Sequence, residues 1–247
     1  MILIQYNERG YGIMYTFNSR ARFTEINHYK GTMDPSTIID YFQDCSTFQS
    51  EDMNLGLSFL EKKKRVWFLT SWQLQIKEPV RLGDYITIGT WPYNFKDFFG
   101  YRNFIMKDKD NKVLSVADSI WVYMDSEKRY PVKVPDDNAG YELEPPYPME
   151  HMDRKIRIPK NLSSHPSFPV IKSNIDSYNH VNNGQYIKMA EEFLPEDFMV
   201  SSMRVEYKNQ AFLGDIIYPR VHASDNTYCV VLDNANGKPY AVVEFTN

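Results

Sequence analysis

A short polar segment between residues 174 and 187 holds the densest set of side chains in the chain that could do acid–base chemistry. Asp176 and His180 are followed there by Asn182, Asn183 and Gly184, where a helical pattern begins. The first backbone N–H groups of a helix have no partner within the helix and carry partial positive charge. A carboxylate and an imidazole beside such donors suit acyl transfer, because the donors can bind the oxyanion that develops at an attacked carbonyl. The alternative is structural: an asparagine caps the helix, Asp176 shapes a turn and His180 packs.

Other common catalytic chemistries lack their residue patterns. No Gly-x-Ser-x-Gly occurs, and the single Gly-x-Gly at residues 10–12 lacks the third glycine of a dinucleotide site. The remaining four histidines show no metal-ligand spacing. Cys45 and Cys229 are too far apart in sequence for a Cys-x-x-Cys motif or a disulfide framework. We therefore expect no metal, no cofactor and two core thiols.

Composition narrows the class of protein further. The 247 residues have a formal net charge of −4 without a long basic run, which argues against binding to nucleic acid. No apolar stretch is long enough to cross a membrane, and the first residues lack the basic flank and apolar core of a signal peptide. We expect a soluble, cytoplasmic protein. An aromatic content of 15% favours sheets around a wide apolar interior.

The first part of the chain reads as one helix followed by several strands. Asp34-Pro35 is a helix start, and apolar residues follow it at helical spacing. From Val66 the period changes to two. After the turn Leu82-Gly83-Asp84, further strands are predicted over 85–91, 100–107 and 113–124. The predicted inward face of the strand that begins at Val66 carries Phe68, Thr70, Trp72, Leu74 and Ile76.

The second part repeats this order in fewer residues. Its helix begins at Asn182-Asn183 and is stopped by Pro195, and four strands follow. A second Leu-Gly-Asp turn stands at residues 213–215. We therefore predict one unit over residues 1–137 and a second over 170–247. The proline-rich stretch 138–169 lacks periodicity and is predicted to be a linker. Two such units in tandem are typical of a duplicated hotdog.

The polar segment also resembles the signature of a known family. The string Asp176-x-x-x-His180-Val-Asn-Asn-x-x-Tyr186-Ile187 is similar to that of the acyl-ACP thioesterases, which are double-hotdog enzymes of plant plastids and bacteria. The resemblance extends over residues 11–246. Its other matching segments follow in the family's order: Leu82-Gly83-Asp84, Ile120-Trp121-Val122, Val134-Pro135-Asp136 and Arg204-Val-Glu206-Tyr207.

The resemblance implies an α+β fold, a tandem double hotdog in which each unit is a curved antiparallel sheet wrapped around one long helix. It also implies hydrolysis of fatty acyl-ACP to free fatty acid and ACP. The first unit would supply most of the acyl pocket, to which we assign Phe42, Phe68, Thr70 and Trp72. Acyl chain length and saturation are not readable, because many aromatic residues could close the pocket.

Carried over residue by residue, the resemblance makes Asp176 the catalytic carboxylate and His180 the catalytic histidine. Tyr178 stands where the family has an asparagine, so either Asn179 supplies that carboxamide or the contact is missing. Gln210 follows the Glu206-Tyr207 segment where the plant enzymes have a glutamate, and it can orient a water or carbonyl but cannot act as a base. The oxyanion donors are assigned to the helix start, at Asn182, Asn183 and Gly184.

The partner implied by the resemblance is acyl carrier protein. A basic run of Lys62, Lys63, Lys64 and Arg65 is either a solvated loop or a landing site for that acidic carrier. Two alternatives to acyl-ACP hydrolysis stay open: a hotdog thioesterase acting on acyl-CoA, and a catalytically weak acyl-binding protein, for which Tyr178 and Gln210 argue. A homodimer is also left open.

Overall fold

The computed structural model describes residues 14–247. The N-terminal residues that we inspected for a signal peptide, and the Gly-x-Gly at 10–12, lie outside that range. Within it, no helix combines the length and the apolar composition needed to cross a membrane.

The first part of the described chain contains two helices and five strands. One helix and the strands after it were predicted in this order, whereas the second helix was not predicted. After the strand β1 the chain forms a short 3₁₀ turn and then the long helix α1. A one-and-a-half-turn helix, α2, separates α1 from four long strands. The bounds are β1 Tyr15–Arg20, α1 Pro35–Asp52, α2 Leu57–Lys62, β2 Arg65–Ile76, β3 Tyr85–Lys96, β4 Phe99–Asp108 and β5 Val113–Asp125.

The second part contains one helix, α3, and four main strands, preceded by two strands of two residues each. The bounds are β6 Ser163–Ser164, β7 Phe168–Pro169, α3 Asn183–Glu191, β8 Ser202–Tyr207, β9 Ile216–Ala223, β10 Thr227–Asp233 and β11 Pro239–Thr246.

All of the long strands join one antiparallel sheet with the order β1-β3-β4-β5-β2-β8-β11-β10-β9-β6, and β7 pairs with β9. The two halves meet where β2 pairs with β8, with Trp72 opposite Val205 and Ser71 opposite Glu206. Helix α1 packs on β3 and on α3. The sheet is therefore continuous across the halves, and its helices lie against it as an α+β architecture requires.

The two Leu-Gly-Asp turns have the same backbone form in both halves. Gly83 and Gly214 have φ values of 85° and 87°, a left-handed conformation that glycine adopts without a steric penalty. The aspartate of each turn accepts a backbone N–H three residues back, Asp84 from Arg81 and Asp215 from Phe212. This internal similarity supports the duplicated unit that the sequence predicted.

Helix α1 begins at Asp34 and Pro35 as predicted, but α3 is shorter than predicted. It has nine residues and ends at Glu191, although the apolar spacing suggested a helix through Leu194. The N–H groups of Phe193 and Leu194 bond to carbonyls three residues back, so the chain tightens into turns. The cause is Pro195, which disfavours helical geometry at the residue before it.

The predicted linker is an ordered strap on the outer face of the sheet. Residues 141–162 form neither helix nor strand, yet they bond to several strands. The Trp91 indole donates to the carbonyl of Pro145, and the backbone N–H of Tyr147 donates to Asn103. Gln73 bonds to the strap through both ends of its amide. The strap covers apolar residues of the outer face that the helices do not reach, such as Val116 and Val231.

Glu191 of α3 accepts hydrogen bonds from the first turn of α1. Glu191 accepts the backbone N–H of Ser36 at 2.8 Å and the Ser36 hydroxyl at 2.6 Å. The first N–H groups of a helix need such acceptors. Burial, together with nearby Asp34, raises the pKa of Glu191 from 4.5 to about 8, although the two bonds from Ser36 oppose the shift. Glu191 thus ties the two halves together at the N-terminus of α1.

We expect Glu191→Ala to lower the free energy of unfolding by about 1–3 kcal/mol, because Ser36 loses both acceptors in a buried place. Denaturant unfolding at acidic pH measures the change. Glu192→Ala is the matched control, since Glu192 is exposed at the end of α3 and is expected to alter stability little. An equal loss of stability in both variants would contradict this role of Glu191.

The raised pKa of Glu191 also predicts a pH dependence. The folded carboxyl holds its proton up to about pH 8, whereas the unfolded one releases it near 4.5. The unfolded state therefore binds fewer protons in this window, and the free energy of unfolding falls as the pH rises through it. Unfolding curves measured across the window are expected to show a smaller slope in Glu191→Ala than in the wild type.

Candidate active site

A cavity of about 710 Å³ lies between the sheet of the first half and the polar segment of the second half. Its walls come from α1 and α2, from strands β2 to β5, and from the stretch after β8. Asp176, Tyr178, His180 and Asn183 border the same cavity. The predicted acid–base residues of the second half therefore border the same cavity as side chains that come mostly from the first half.

Asp176 both shapes its loop and borders the cavity. Its Oδ1 accepts the backbone N–H groups of Tyr178 at 2.8 Å and of His180 at 3.3 Å. Asn179, at φ 62°, supplies the left-handed residue that closes this turn. Among the described residues, Oδ2 of Asp176 has no hydrogen-bond partner. One carboxylate oxygen is thus committed to the loop while the other is available for a substrate or a water.

His180 packs with its ring at the cavity wall. The ring makes an edge contact with Phe212, with centroids 5.2 Å apart, and it is the backbone of His180 that bonds to Asp176. Partial burial lowers the pKa of the imidazole, and Arg129 acts in the same direction while Asp176 opposes it. Near neutral pH the ring is therefore mainly uncharged and can act as a hydrogen-bond donor or acceptor rather than as a cation.

The three residues assigned to the oxyanion site differ in what they do. Asn182 is the helix cap, because its side chain accepts the N–H of Gly184 at 2.8 Å. Gly184 lies off the cavity and is packed so closely on α1 that a Cβ there would meet Asp40 at 2.2 Å. Asn183 alone borders the cavity, and its backbone N–H has no acceptor among the described residues. Of the three residues, only Asn183 combines a position on the cavity with a backbone N–H that is free among the described residues, and its oxyanion role stays a prediction.

The two amide side chains predicted at the site are placed differently. Asn179 is exposed on the turn and does not border the cavity, whereas Tyr178 does. The carboxamide that we assigned to Asn179 is thus not brought to the cavity in this conformation of the loop. Gln210 does border it, and its side chain has no hydrogen-bond partner among residues 14–247. The roles assigned to both amides stay predictions.

The acyl pocket is only partly where the sequence suggested. Phe68 and Thr70 border the cavity, but Phe42 and Trp72 do not. These two are fully buried and pack against Phe104, with ring centroids 5.3 and 4.8 Å away. The assignment of Phe42 and Trp72 to the pocket was wrong, because α1 packs directly on the sheet at these two residues and both belong to the hydrophobic core. All residues of β2 from Val66 to Thr70 border the cavity, and a β-bulge at Thr70 ends that stretch.

Two family models match the chain. One is described as the acyl-ACP thioesterase N-terminal domain and matches residues 12–140; the other is described as the acyl-ACP thioesterase C-terminal domain and matches residues 159–243. The chain belongs to the acyl-ACP thioesterase family.

Named relatives agree with this family. The chain is 23% identical over 234 residues to a chloroplastic palmitoyl-acyl carrier protein thioesterase of Gossypium hirsutum, covering 87% of this chain and 56% of that protein. It is 24% identical over 229 residues to oleoyl-acyl carrier protein thioesterase 1 of Arabidopsis thaliana, covering 83% and 63%. The chain thus spans about half to two thirds of the length of these plant relatives.

Solved structures show the same fold. An acyl-ACP thioesterase from Bacteroides thetaiotaomicron superposes with a TM-score of 0.86 at 20% identity, covering 94% of this chain and 97% of the other. The 12:0-ACP thioesterase from Umbellularia californica superposes with a TM-score of 0.81 at 15% identity, covering 96% and 97%. The predicted tandem double hotdog is confirmed.

Several residues of the cavity escaped the sequence analysis. Arg102 and Tyr141 border it, and so does a polar face of α1 made of Gln43, Ser46, Thr47 and Ser50. Arg102 could have been found, because it shares an alternating face of β4 with buried Phe104 and Met106, where a charge is unexpected. The face of α1 has helical spacing, but a polar stripe usually indicates a solvent-exposed side.

The first half contains a loop of the same form that lacks the carboxylate. Asn27 accepts the backbone N–H groups of Tyr29 and Lys30, as Asp176 does for its own loop, and Gly31 at φ 66° takes the place of Asn179. The cavity beside this loop is only about 30 Å³. Of these two equivalent loops within residues 14–247, only the loop of the second half has a carboxylate and borders the cavity of about 710 Å³.

The basic run follows a part of the cavity that exposed residues line, namely Leu57, Ser126 and Arg129, and we call this part its mouth. Lys62 ends α2, whose residues Leu57 and Leu60 border the cavity. Lys64 is paired with Glu127 at 2.9 Å and Arg65 with Asp125 at 3.0 Å. Lys62 and Lys63 are exposed and form no ion pair with any residue from 14 to 247. Half of the predicted docking run is thus engaged in local ion pairs, and half presents charge to the solvent.

Proposed function

We propose that the chain hydrolyses a fatty acyl thioester carried by acyl carrier protein, with release of free fatty acid and the carrier thiol. The observation that carries the proposal is the shared cavity of about 710 Å³, which both Asp176 and Asn183 border. That volume lies in the usual range of sites for small ligands. Relatives named as palmitoyl- and oleoyl-acyl carrier protein thioesterases support the substrate class.

The reaction needs attack on the thioester carbonyl and departure of the sulfur. With the carbonyl oxygen at the N–H of Asn183, the negative charge that forms there is stabilised by the start of α3. Asp176 then acts either as a general base that takes a proton from water, or as a nucleophile whose acyl adduct water opens. Either route consumes one water and yields an acid and a thiol. Gln210 borders the same cavity, and we assign it the orientation of that water through its amide.

The test is thiol release from matched panels of acyl-ACP and acyl-CoA of varied chain length, with wild type and Asp176→Ala side by side. We expect turnover on acyl-ACP that depends on Asp176. Faster turnover on acyl-CoA would favour the CoA-dependent alternative. Binding of acyl-ACP without Asp176-dependent turnover would identify an acyl-binding protein instead.

Carrier docking is proposed at the cavity mouth, where Lys62, Lys63 and Arg129 add positive charge. We expect the double variant Lys62→Ala/Lys63→Ala to raise KM for acyl-ACP a few-fold and to reduce its salt dependence, because exposed charges act mainly by steering. Hydrolysis of a short acyl-pantetheine should change little.

The matched control is Lys107→Ala/Lys109→Ala. These lysines lie at the opposite end of the β4–β5 ladder, since Lys107 pairs with Val113 whereas Phe99 pairs with Val122 near the mouth. Equal effects of the two double variants on acyl-ACP, or equal losses on acyl-ACP and acyl-pantetheine, would reject docking at the mouth.

A further inference from the structure

Arg102 is a buried cation on the wall of the proposed acyl compartment. Its side chain is 8% exposed, and it borders the cavity from strand β4. Within residues 14–247 it forms no ion pair, and the groups that act on its charge are Tyr141 and Cys45 rather than a carboxylate. Burial lowers the pKa of the guanidinium, although arginine stays charged in proteins. An unpaired buried charge is costly, so its retention calls for a functional explanation.

The hydrogen bonds of Arg102 leave one edge of the guanidinium free. Nη1 donates to Gln49 and, at 3.2 Å, to Thr90, while Nε and Nη2 have no acceptor among the described residues. Both nitrogens lack a partner but are not fully enclosed, which fits a position facing the cavity. Through its Nε–Nη2 edge, an arginine can bind a carboxylate with two parallel hydrogen bonds. Arg204 uses that same edge on the Glu244 carboxylate in this chain, where Nε and Nη2 both donate to Oε1, at 2.9 and 2.7 Å.

The surroundings of Arg102 are more polar than a hydrocarbon chain requires. The guanidinium lies over the ring of Tyr141, 5.2 Å from its centroid, and the Tyr141 hydroxyl is 2.7 Å from that of Ser50. Ser46 and Thr70 border the same cavity. A wall built only to measure the length of a methyl-ended chain would place apolar side chains at this point.

Arg102 also lies away from the acid–base residues. Gln43 of α1 contacts the Asn183 side chain at 3.4 Å, whereas Ser50 contacts Tyr141 beside Arg102. Seven residues of helix separate these contacts, a rise of about 10 Å. An acyl chain that lies along α1 with its thioester at Asn183 would therefore bring its far end to Arg102.

We propose that this compartment takes acyl chains whose far end carries a carboxylate, held by the Nε–Nη2 edge of Arg102. The proposal rests on the proposed thioesterase function and specifies its substrate class. A methyl-ended chain would displace water from the guanidinium without offering a hydrogen-bond acceptor in its place. A carboxylate accepts hydrogen bonds from Nε and Nη2 and supplies the missing negative charge.

The experiment compares thiol release from two acyl-ACP series of matched length, one methyl-ended and one ending in a carboxylate. At the best length we expect kcat/KM to be about 10²-fold or more higher for the carboxylate-ended chain, because a site built to pair a polar group rejects an analogue that lacks it. Equal or better turnover of the methyl-ended series would overturn the proposal and leave the thioesterase function standing. Turnover of neither series would instead refute the proposed function.

Variants test whether Arg102 causes the preference for carboxylate-ended chains. Arg102→Met is expected to reverse the preference, with slower turnover of carboxylate-ended chains and faster turnover of methyl-ended ones. Arg157→Met is the matched control, since Arg157 is exposed and does not border the cavity, and it should leave both rates at the wild-type level. An unchanged preference in folded Arg102→Met would overturn the proposal.

A measurement on the wild type alone covers the case in which Arg102→Met does not fold. Free acids compete with substrate for the compartment, so α,ω-dicarboxylic acids should inhibit more strongly than monocarboxylic acids of equal length. Stronger inhibition by the monocarboxylic acids would contradict a carboxylate site at Arg102.

Discussion

Replacing Asp176 by asparagine is expected to lower kcat on acyl-ACP by about 10²- to 10⁴-fold, the usual contribution of a general base or a nucleophile. The change is nearly isosteric. The amide oxygen of asparagine can accept the same backbone N–H groups, from Tyr178 and His180, that the Oδ1 of Asp176 accepts now. The loop should therefore keep its shape while the carboxylate that faces the cavity is lost. Steady-state kinetics and a thermal melt of the same preparation measure the two effects separately.

Asp84→Asn is the matched control for this experiment. Asp84 also accepts a backbone N–H in a turn, from Arg81 at 2.8 Å, but it does not border the cavity. It is expected to leave kcat near the wild-type value. A near-normal kcat in Asp176→Asn would place the chemistry on another group, and a loss of the same size in Asp84→Asn would show that the effect is one of turn structure.

Phe42→Ala is expected to lower the free energy of unfolding by about 3–5 kcal/mol, the cost of removing a fully buried aromatic ring from a packed core. Phe42 is 0% exposed and packs on Phe104 and Trp72. Few of the atoms around it can relax into the space, because this part of the core is enclosed between α1 and the sheet. Denaturant unfolding with an unchanged m-value would measure the loss.

Phe68→Ala is the informative comparison, because Phe68 is only partly buried and borders the cavity. It should cost less stability than Phe42→Ala and should change KM for acyl substrates more. The opposite order, with Phe68→Ala the more destabilising and Phe42→Ala the one that alters substrate preference, would return Phe42 to the pocket and contradict its place in the core.

Much of this protein could be predicted from local sequence. The helix start at Asp34-Pro35, the alternation that begins at Val66 and the two Leu-Gly-Asp turns depend on interactions within a few residues of the chain, which is why they have readable signatures. The family motif from Asp176 to Ile187 is equally local, since one loop and one helix start hold all of its members.

Other features depend on residues that are distant in sequence, and only the folded chain decided them. Asn182, Asn183 and Gly184 look alike as helix-start residues, but the approach of α1 against Gly184 leaves Asn183 alone facing the cavity. Phe68 and Trp72 lie on the same predicted face of β2, but the packing of α1 against the sheet decides that Phe68 borders the cavity and that Trp72 lies in the core.

The cavity itself is the feature that is hardest to predict from the sequence. It exists where α1, the first-half sheet and the second-half loop leave space unfilled, and such space depends on the whole packing arrangement rather than on any one element. For the same reason, Arg102 could be recognised as an inward charge from the alternation of β4, yet its lack of a carboxylate partner could not. Local periodicity determined the elements of this protein, and the contacts between them determined which side chains a substrate would meet.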